Sequence, residues 1–359
     1  MDEALTLGDL GGWPGVLGRL LRSEDLSADE AAAALDSILL GEAAPSQIAA
    51  FAAALRTKGE TAEEITGLVR AMRARGEHVE VRGAVLDTCG TGGDRSGTIN
   101  VSTMAAVVAA AAGCRVCKHG GRASSSKAGS ADVFEALGVA VELGPAGVER
   151  CISEVGLGFC LAPRFHPAMR HAAPVRRELG VPTVFNVLGP LANPAGATRQ
   201  LIGVGEPALV SRMVSVLEAN GTERAMVVFG HDGLDELSTV APSSVVETVL
   251  AEDGASYVRR QYEIDPRSFG LAAAEPADLV GGSAELNAEL LRSVFAGERG
   301  PRRDFALLNS AAALVVGGAV DDLAAGLDLA GSLIDDGSVA GTLDELIRVS
   351  SEAAQGEQG

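Results

Sequence analysis

The chain is 359 residues long, 47% hydrophobic but only 3% aromatic, and its 29 Lys and Arg against 48 Asp and Glu give a formal net charge of −19. That length suggests two domains or one large α/β domain with an appendage, built on Ala, Val, Leu and Ile, and the acidic surplus argues against a nucleic-acid partner. No apolar run reaches the roughly 18 residues that span a bilayer, the acidic N-terminus lacks a signal-peptide pattern, and five sparse cysteines fit a reducing cytoplasm.

Residues 1–82 read as short amphipathic helices. Ser27-Ala28-Asp29-Glu30 and Thr61-Ala62-Glu63-Glu64 are capping boxes, in which hydroxyl and carboxylate each satisfy a backbone donor of the other residue. Ile65, Leu68, Val69 and Met72 then form one apolar stripe, and Gly41, Gly59 and Gly76 stand as helix stops. No catalytic residue type clusters here, so the expectation is a helical packing or dimerisation unit.

From Val85 the rhythm changes. Apolar runs at 85–86, 114–117, 139–143, 158–161, 201–204 and 225–229 read as strands, alternating with helical stretches at 103–112, 130–137, 148–155 and 208–219. This pattern predicts an α/β class with a mostly parallel central sheet flanked by helices over 83–350, in which ligands bind beyond the carboxyl ends of strands. Helices return at 304–316 and 321–334, and the tail 351–359 is expected to fray. Cys114-Arg115-Val116-Cys117 has the spacing of a redox or zinc pair but no second pair, so two small core residues are the preferred reading.

Between Asp94 and Asp132 there is no carboxylate, while Arg95, Arg115, Lys118, Arg122 and Lys127 all fall inside. The interval opens on Gly90-Thr91-Gly92-Gly93-Asp94, continues with Thr98-Ile99-Asn100-Val101-Ser102-Thr103 at a helix start, and contains Lys118-His119-Gly120-Gly121-Arg122-Ala123-Ser124-Ser125-Ser126 before Ser130. Glycine-freed N–H groups, hydroxyls and cations are what bind phosphate. Neither the Rossmann nor the Walker pattern fits the glycine loop, which alone would read equally well as a turn with an ordinary N-cap, Ser102 or Thr103. The unmixed cations of the second loop tip the reading towards an anion seat. After a further strand, Asp235 and Glu236 are adjacent carboxylates suited to Mg²⁺, against the plainer reading of a surface turn. A second acid-free stretch, 155–177, holds Arg164, His166, Arg170, His171, Arg176 and Arg177. His119, His166, His171 and His231 all fall within these motifs.

On these residues the chain closely resembles the anthranilate phosphoribosyltransferase family of tryptophan biosynthesis. The resemblance is carried by 87–94, 98–103, KHGGRASSSKAGSADVFEALG (118–138), FCLAPRFHPAMRHAAPVRRELGVPTVFNVLGPLANP (159–194) and 230–236, with order and spacing agreeing over nearly the whole chain. It implies a small helical domain, here 1–82 joined by helices from about 165–200, and a larger α/β domain. It also implies a cytoplasmic homodimer with two Mg²⁺ per subunit, which transfers phosphoribose from phosphoribosyl pyrophosphate to the anthranilate nitrogen and releases pyrophosphate. By position, Gly90, Gly93, Asp94, Thr98, Asn100, Val101, Ser102, Thr103, Lys118 and Ser130 resemble the residues that hold phosphoribosyl pyrophosphate. Gly120, Gly121, Arg122 and Ala123 lead into the match to the family's mobile loop, Ser124, Ser125 and Ser126. Ser102 and Glu236 match ligands of one Mg²⁺, and Asp235 with Glu236 those of the other. Arg176 matches the anthranilate-contacting arginine, and His119 and His166 lie where the aromatic acid is steered inward.

One position departs from the family's Lys-His-Gly-Asn-Arg motif: its asparagine, which contacts anthranilate, is Gly121 here. Either backbone or water replaces the contact, or affinity is lowered, or the acceptor is a different aromatic amine. Two other readings remain: a nucleoside phosphorylase on the same fold, which nucleoside plus phosphate would reveal, and a non-catalytic nucleic-acid-binding relative, which the net charge opposes.

Overall fold

In the computed structural model, which describes residues 5–92, 94, 96–123 and 127–358, four helices open the chain: α1 (Gly12–Leu20), α2 (Ala28–Leu39), α3 (Pro45–Lys58) and α4 (Ala62–Ala74). Both capping boxes form. Glu64 does more than cap: its buried carboxylate also accepts from Leu26 N at 3.0 Å and from Lys58 Nζ at 3.0 Å. A single acid thereby ties the start of α4 to the chain before α2.

The first wing of the sheet follows as β1 (Leu86–Gly90), α5 (Val101–Ala111), β2 (Val116–Gly120), α6 (Ser130–Leu137), α7 (Pro145–Val155) and β3 (Leu157–Leu161). Short helices α8 (Ala162–Phe165), α9 (Ala173–Leu179) and α10 (Phe185–Leu191) lead back to β4 (Arg199–Gly203), α11 (Pro207–Ala219) and β5 (Arg224–Gly230). Strands β6 (Ser243–Leu250) and β7 (Tyr257–Ile264) complete the sheet. Five helices close the chain: α12 (Pro276–Leu279), α13 (Ala284–Phe295), α14 (Pro301–Gly317), α15 (Leu323–Asp335) and α16 (Ser338–Gln358).

The strand order is β3-β2-β1-β4-β5-β6-β7, parallel from β3 to β5, with β6 and β7 antiparallel. The chain leaves β1 towards β2 and β3, then returns to lay β4 on the other side of β1. Between β1 and β4 the winding therefore reverses, and their carboxyl ends meet where Gly90 pairs with Gly203. Such a switch point opens a crevice for ligands. Alternate residues of β4 feed two cores: Leu201 joins the core under the C-terminal helices, Ile202 the one shared with α1–α4 and α9–α11.

Several local expectations need correction. Residues 139–143 are not a strand; Val139, Val141 and Leu143 are buried, but Ala140 N donates to Ser350 Oγ of α16 rather than to a neighbouring strand. The alternation there records packing against helices. The tail does not fray, because α16 runs to Gln358 and Glu357 accepts from Gly144 N and Gly147 N at the start of α7, where an acid meets free amides and a favourable dipole end. Neither Ser102 nor Thr103 caps α5, whose N-cap is Asn100. Ser130 is the first residue of α6, and Asp132 accepts from Gly129 N at its start. The cysteine expectation stands: all five are free, Cys117 is in the core with Cys114 packed against it, and Cys117 Sγ lies 3.4 Å from Cys160 Sγ. No helix among the described residues is long and apolar enough to cross a membrane.

Candidate active site

Beyond the carboxyl ends of β1, β2 and β4 lies a cavity of about 940 Å³, lined from the glycine loop, the start of α5, the loop after β2, helices α8–α10 and the loop after β5. Two glycines make the acid side of it possible. A Cβ on Gly203 would fall 1.5 Å from Asp235 O, and one on Gly90 would fall 2.2 Å from Asp235 Oδ2. With both absent, the 231–236 loop lies directly on the ends of β1 and β4, and Asp235 Oδ2 accepts from Gly92 N at 2.6 Å.

Lys118 reaches this acid pole from β2 with only 2% of its surface exposed. Its Nζ donates to Thr88 O at 2.5 Å and to Ser102 Oγ at 3.4 Å. Beneath it, fully buried Asp87 accepts from Asn193 Nδ2 at 2.7 Å and from His119 N at 3.2 Å. Charge here is unbalanced towards acid. Burial, then Asp94, pushes Asp235 up to about 7. Burial, then Asp235, raises Glu236 well above the ordinary carboxylate range, although Ser102 hydrogen-bonds to it. Burial lifts Asp87 to about 6 against the pull of Lys118, and burial pulls Lys118 down. Carboxylates whose ionised forms are under-compensated, beside a hydroxyl, are a hard-oxygen set that suits Mg²⁺. Among the described residues no three His, Cys, Asp or Glu side chains can enclose an ion by themselves. The fit is thus to an ion that completes its shell from phosphate and water, as Mg²⁺ does.

The opposite pole has another character. His119 and His166 pack edge-to-face with centroids 5.1 Å apart. Each faces a backbone carbonyl, which can only accept, so His119 Nδ1–H donates to Gly189 O and His166 Nε2–H to Ala192 O, both at 3.0 Å. Burial holds both rings neutral, with His119 lowered to about 3 and His166 to about 4. Among the described residues, His119 Nε2 is a buried acceptor without a partner. Arg176 of α9 stacks over Phe185 at 5.8 Å and, among the described residues, pairs with no carboxylate.

Most of the expected residues converge: Gly90, Asp94, Thr98, Asn100, Ser102, Lys118, His119, Gly120, Gly121, Arg122, Ser130, His166, Arg176, Asp235 and Glu236 all line the cavity. Others do not. Val101 and Thr103 are buried in the first turn of α5, and Ala123 is held outside by donating to Asp132 Oδ2. Arg122 touches the cavity, but its guanidinium is committed to Glu135, Asp132 and Glu142. His231 is exposed and bonds Ser244, while His171 packs against Gly41. Gly93, Arg95, Ser124, Ser125 and Ser126 lie outside the described residues. Asp87, Asn193 and Phe185 were not singled out. The one usable signal was Asp87 itself, a lone carboxylate inside an apolar strand.

With an acid-and-lysine pole and an arginine-and-imidazole pole at its switch point, the doubly wound sheet fits a glycosyl-transferring enzyme. In agreement, "Glycosyl transferase family, a/b domain" matches residues 82–340 and "Glycosyl transferase family, helical bundle domain" matches residues 14–76. More narrowly, the chain belongs to the anthranilate phosphoribosyltransferase family. It is 48% identical over 347 residues to the anthranilate phosphoribosyltransferase of Saccharopolyspora erythraea, covering 95% of this chain and 97% of that one. The Thermus thermophilus enzyme superposes with a TM-score of 0.87 at 40% identity, over 94% of this chain and 99% of that one. The Saccharomyces cerevisiae enzyme in complex with phosphoribosyl pyrophosphate and Mg gives 0.85 at 28% identity, over 95% of this chain and 98% of its own. Its complex with 4-fluoroanthranilate gives 0.84 at 27%, with the same coverage.

Proposed function

We propose that this chain transfers the phosphoribosyl group of phosphoribosyl pyrophosphate to the amine of anthranilate, giving N-(5-phosphoribosyl)anthranilate and pyrophosphate. The observation that carries the reading is the two-pole cavity: hard oxygens with Lys118 at one end, and at the other an unpaired Arg176 with two neutral imidazoles. The bond from ribose carbon 1 to pyrophosphate breaks, the bond to nitrogen forms, and the proton that the amine sheds passes to the released pyrophosphate or to water. Such a carbon passes through an oxocarbenium-like state that asks little of the nucleophile, so holding the substrates in line is the protein's main task. Lys118, Asn100, Thr98, Ser130 and the backbone around Gly90 and Gly120 bind the sugar pyrophosphate. Asp235, Glu236 and Ser102 would hold Mg²⁺, two ions per subunit, which would supply positive charge to the departing pyrophosphate. Arg176 takes the anthranilate carboxylate. His119 Nε2 accepts from the amine and orients it, but a pKa near 3 makes it too weak a base to keep the proton.

The functional unit is a cytoplasmic homodimer joined through the helical region, where Leu21, Leu40 and Val181 are 77%, 48% and 59% exposed. Gly121 favours a second reading, in which the acceptor is a related aromatic amine: among the described residues no atom lies within 4 Å of where its side chain would start. The test is Mg²⁺-dependent consumption of anthranilate with matching pyrophosphate release, against a panel of substituted benzoates and against nucleoside plus phosphate. Turnover of nucleoside alone overturns the transferase reading, and turnover of another aminobenzoate in preference overturns the choice of acceptor.

A further inference from the structure

Asn287 lies in the first turn of α13 and is 4% exposed. Its amide joins that helix to Asn100 in the cavity wall, and the orientation of the link follows from groups that have no choice of role. Gly282 N can only donate, so the atom it meets at 2.7 Å is Asn287 Oδ1. Asn287 Nδ2 therefore faces Asn100, where it finds Oδ1 at 2.8 Å. Asn100 Nδ2 is then turned to Ala128 O, which can only accept, at 3.2 Å. Three hydrogen bonds in series run from the turn before α13 to the stretch that leads into α6. Backbone contacts brace the same junction, Ile99 N to Leu279 O at 3.0 Å and Gly281 N to Gly97 O at 2.9 Å.

Asn100 retains one Nδ2 hydrogen and one Oδ1 lone pair beyond this relay. Without Asn287 only the 3.2 Å bond to Ala128 O fixes which way the amide faces, and an acceptor in place of Asn287 Nδ2 favours the flipped amide, which puts an oxygen where an anionic substrate needs a donor. We propose that Asn287 is a positioning residue for the phosphoribosyl pyrophosphate end of the cavity, acting through the amide of Asn100. This rests on the reading of the cavity as a phosphoribosyl pyrophosphate site.

The test pairs Asn287→Asp, which keeps the acceptor for Gly282 N but loses the donor to Asn100, with Asn287→Ala, which loses both. Calorimetry of phosphoribosyl pyrophosphate with Mg²⁺ is expected to show affinity weakened roughly five- to tenfold in Asn287→Asp, the scale of one neutral hydrogen bond, and by less in Asn287→Ala, where Ala128 O still orients Asn100. The KM for that substrate rises in step, while the KM for anthranilate stays within about twofold, a split that loss of fold stability would not produce. In an Asn100→Ala background, Asn287→Asp is expected to change the affinity by less than about twofold, because the two residues act as one unit. Wild-type affinity in both variants, equal losses for both substrates, or an undiminished effect in the Asn100→Ala background overturns the role of Asn287. Absence of binding by the wild-type protein overturns the reading of the cavity, and this inference with it.

Discussion

The two ends of the cavity solve opposite electrostatic problems with the same tool, burial. At the β1/β4 end, burial is imposed on Asp235 and Glu236, so their ionised forms are penalised until positive charge arrives. At the α9–α10 end, burial is imposed on His119 and His166, which respond by staying neutral, leaving the charge there to arginine, with Arg176 paired to no carboxylate among the described residues. One pole therefore calls for a cation and through it for phosphates; the other calls for a carboxylate attached to something flat. A cavity with two carboxylate-rich ends, or two cationic ones, could not order two anionic substrates in this way.

Removing the acid pole is the most severe way to break this contrast. Asp235→Asn combined with Glu236→Gln is expected to abolish turnover at ordinary Mg²⁺ concentrations, a loss of at least about 10³-fold in kcat/KM for a metal-dependent step. Steady-state assays across a Mg²⁺ titration check it, and near-normal rates would remove these residues from the metal site. At the other pole, Arg176→Ala is expected to raise the KM for anthranilate roughly 10- to 100-fold, the scale of a lost charge-assisted hydrogen bond, with far less effect on phosphoribosyl pyrophosphate. Equal effects on both KM values would mean the poles are not separate.

Stability against pH separates them without substrate. Asp235 is raised from 3.8 to about 7, so the folded state holds a proton that the unfolded chain has released, and stability contributed by this group falls as pH climbs from about 4 to about 7. His119 and His166 are lowered from 6.5 to about 3 and about 4, so the unfolded chain takes up protons that the folded state refuses, and stability falls as pH drops from about 6.5. The two trends oppose each other between about pH 4 and 6.5. In the Asp235→Asn, Glu236→Gln variant the first is largely gone, so acidification from pH 6.5 to 4 should cost on the order of 2 kcal/mol more than in wild type. Calorimetric melting across that range checks it, and parallel curves would reject the assignment.

Much of this was legible in the sequence because it was written locally. The capping boxes at Ser27 and Thr61, the strand–glycine–helix order around Gly90 and the cation-only run from Lys118 each state their structure within a few residues. Of the long-range features, the sequence said less. That Asp235 would sit on Gly90 and Gly203 depends on a close approach between distant segments, and that Asp87 would lie under Lys118 depends on β1 and β2 being neighbours. Thr103 was misplaced because a hydroxyl at a helix start serves a ligand or a core equally well until the helix phase is known. Arg122 lines the cavity as expected, but the commitment of its guanidinium was not legible because α6 supplies Asp132 and Glu135 only once it packs beside the loop. Strand β7 escaped notice because an edge strand with exposed Arg259 and Arg260 lacks the apolar run of a central strand, and β6, between β5 and β7, because Ser243, Ser244, Glu247 and Thr248 interrupt its apolar residues.

The finest test of the contrast is at the residue between the poles. Gly121 has an ordinary backbone conformation, and no atom of the described residues lies within 4 Å of where a Cβ would be, so neither strain nor crowding among them requires glycine there. Gly121→Asn should therefore fold with an unchanged melting temperature. If anthranilate is the natural acceptor and its site is merely short of one side-chain hydrogen bond, the substitution should lower the KM for anthranilate by about fivefold, the worth of roughly 1 kcal/mol, and leave phosphoribosyl pyrophosphate unaffected. If the vacant space instead receives a ring substituent, the same asparagine should raise the KM for the substituted aminobenzoate while helping anthranilate, because filling a pocket rejects the larger acceptor more strongly than a hydrogen bond favours the smaller. Turnover of both acceptors by wild type and variant gives four KM values. A variant that weakens anthranilate itself would show that the glycine is part of the acceptor site in its own right.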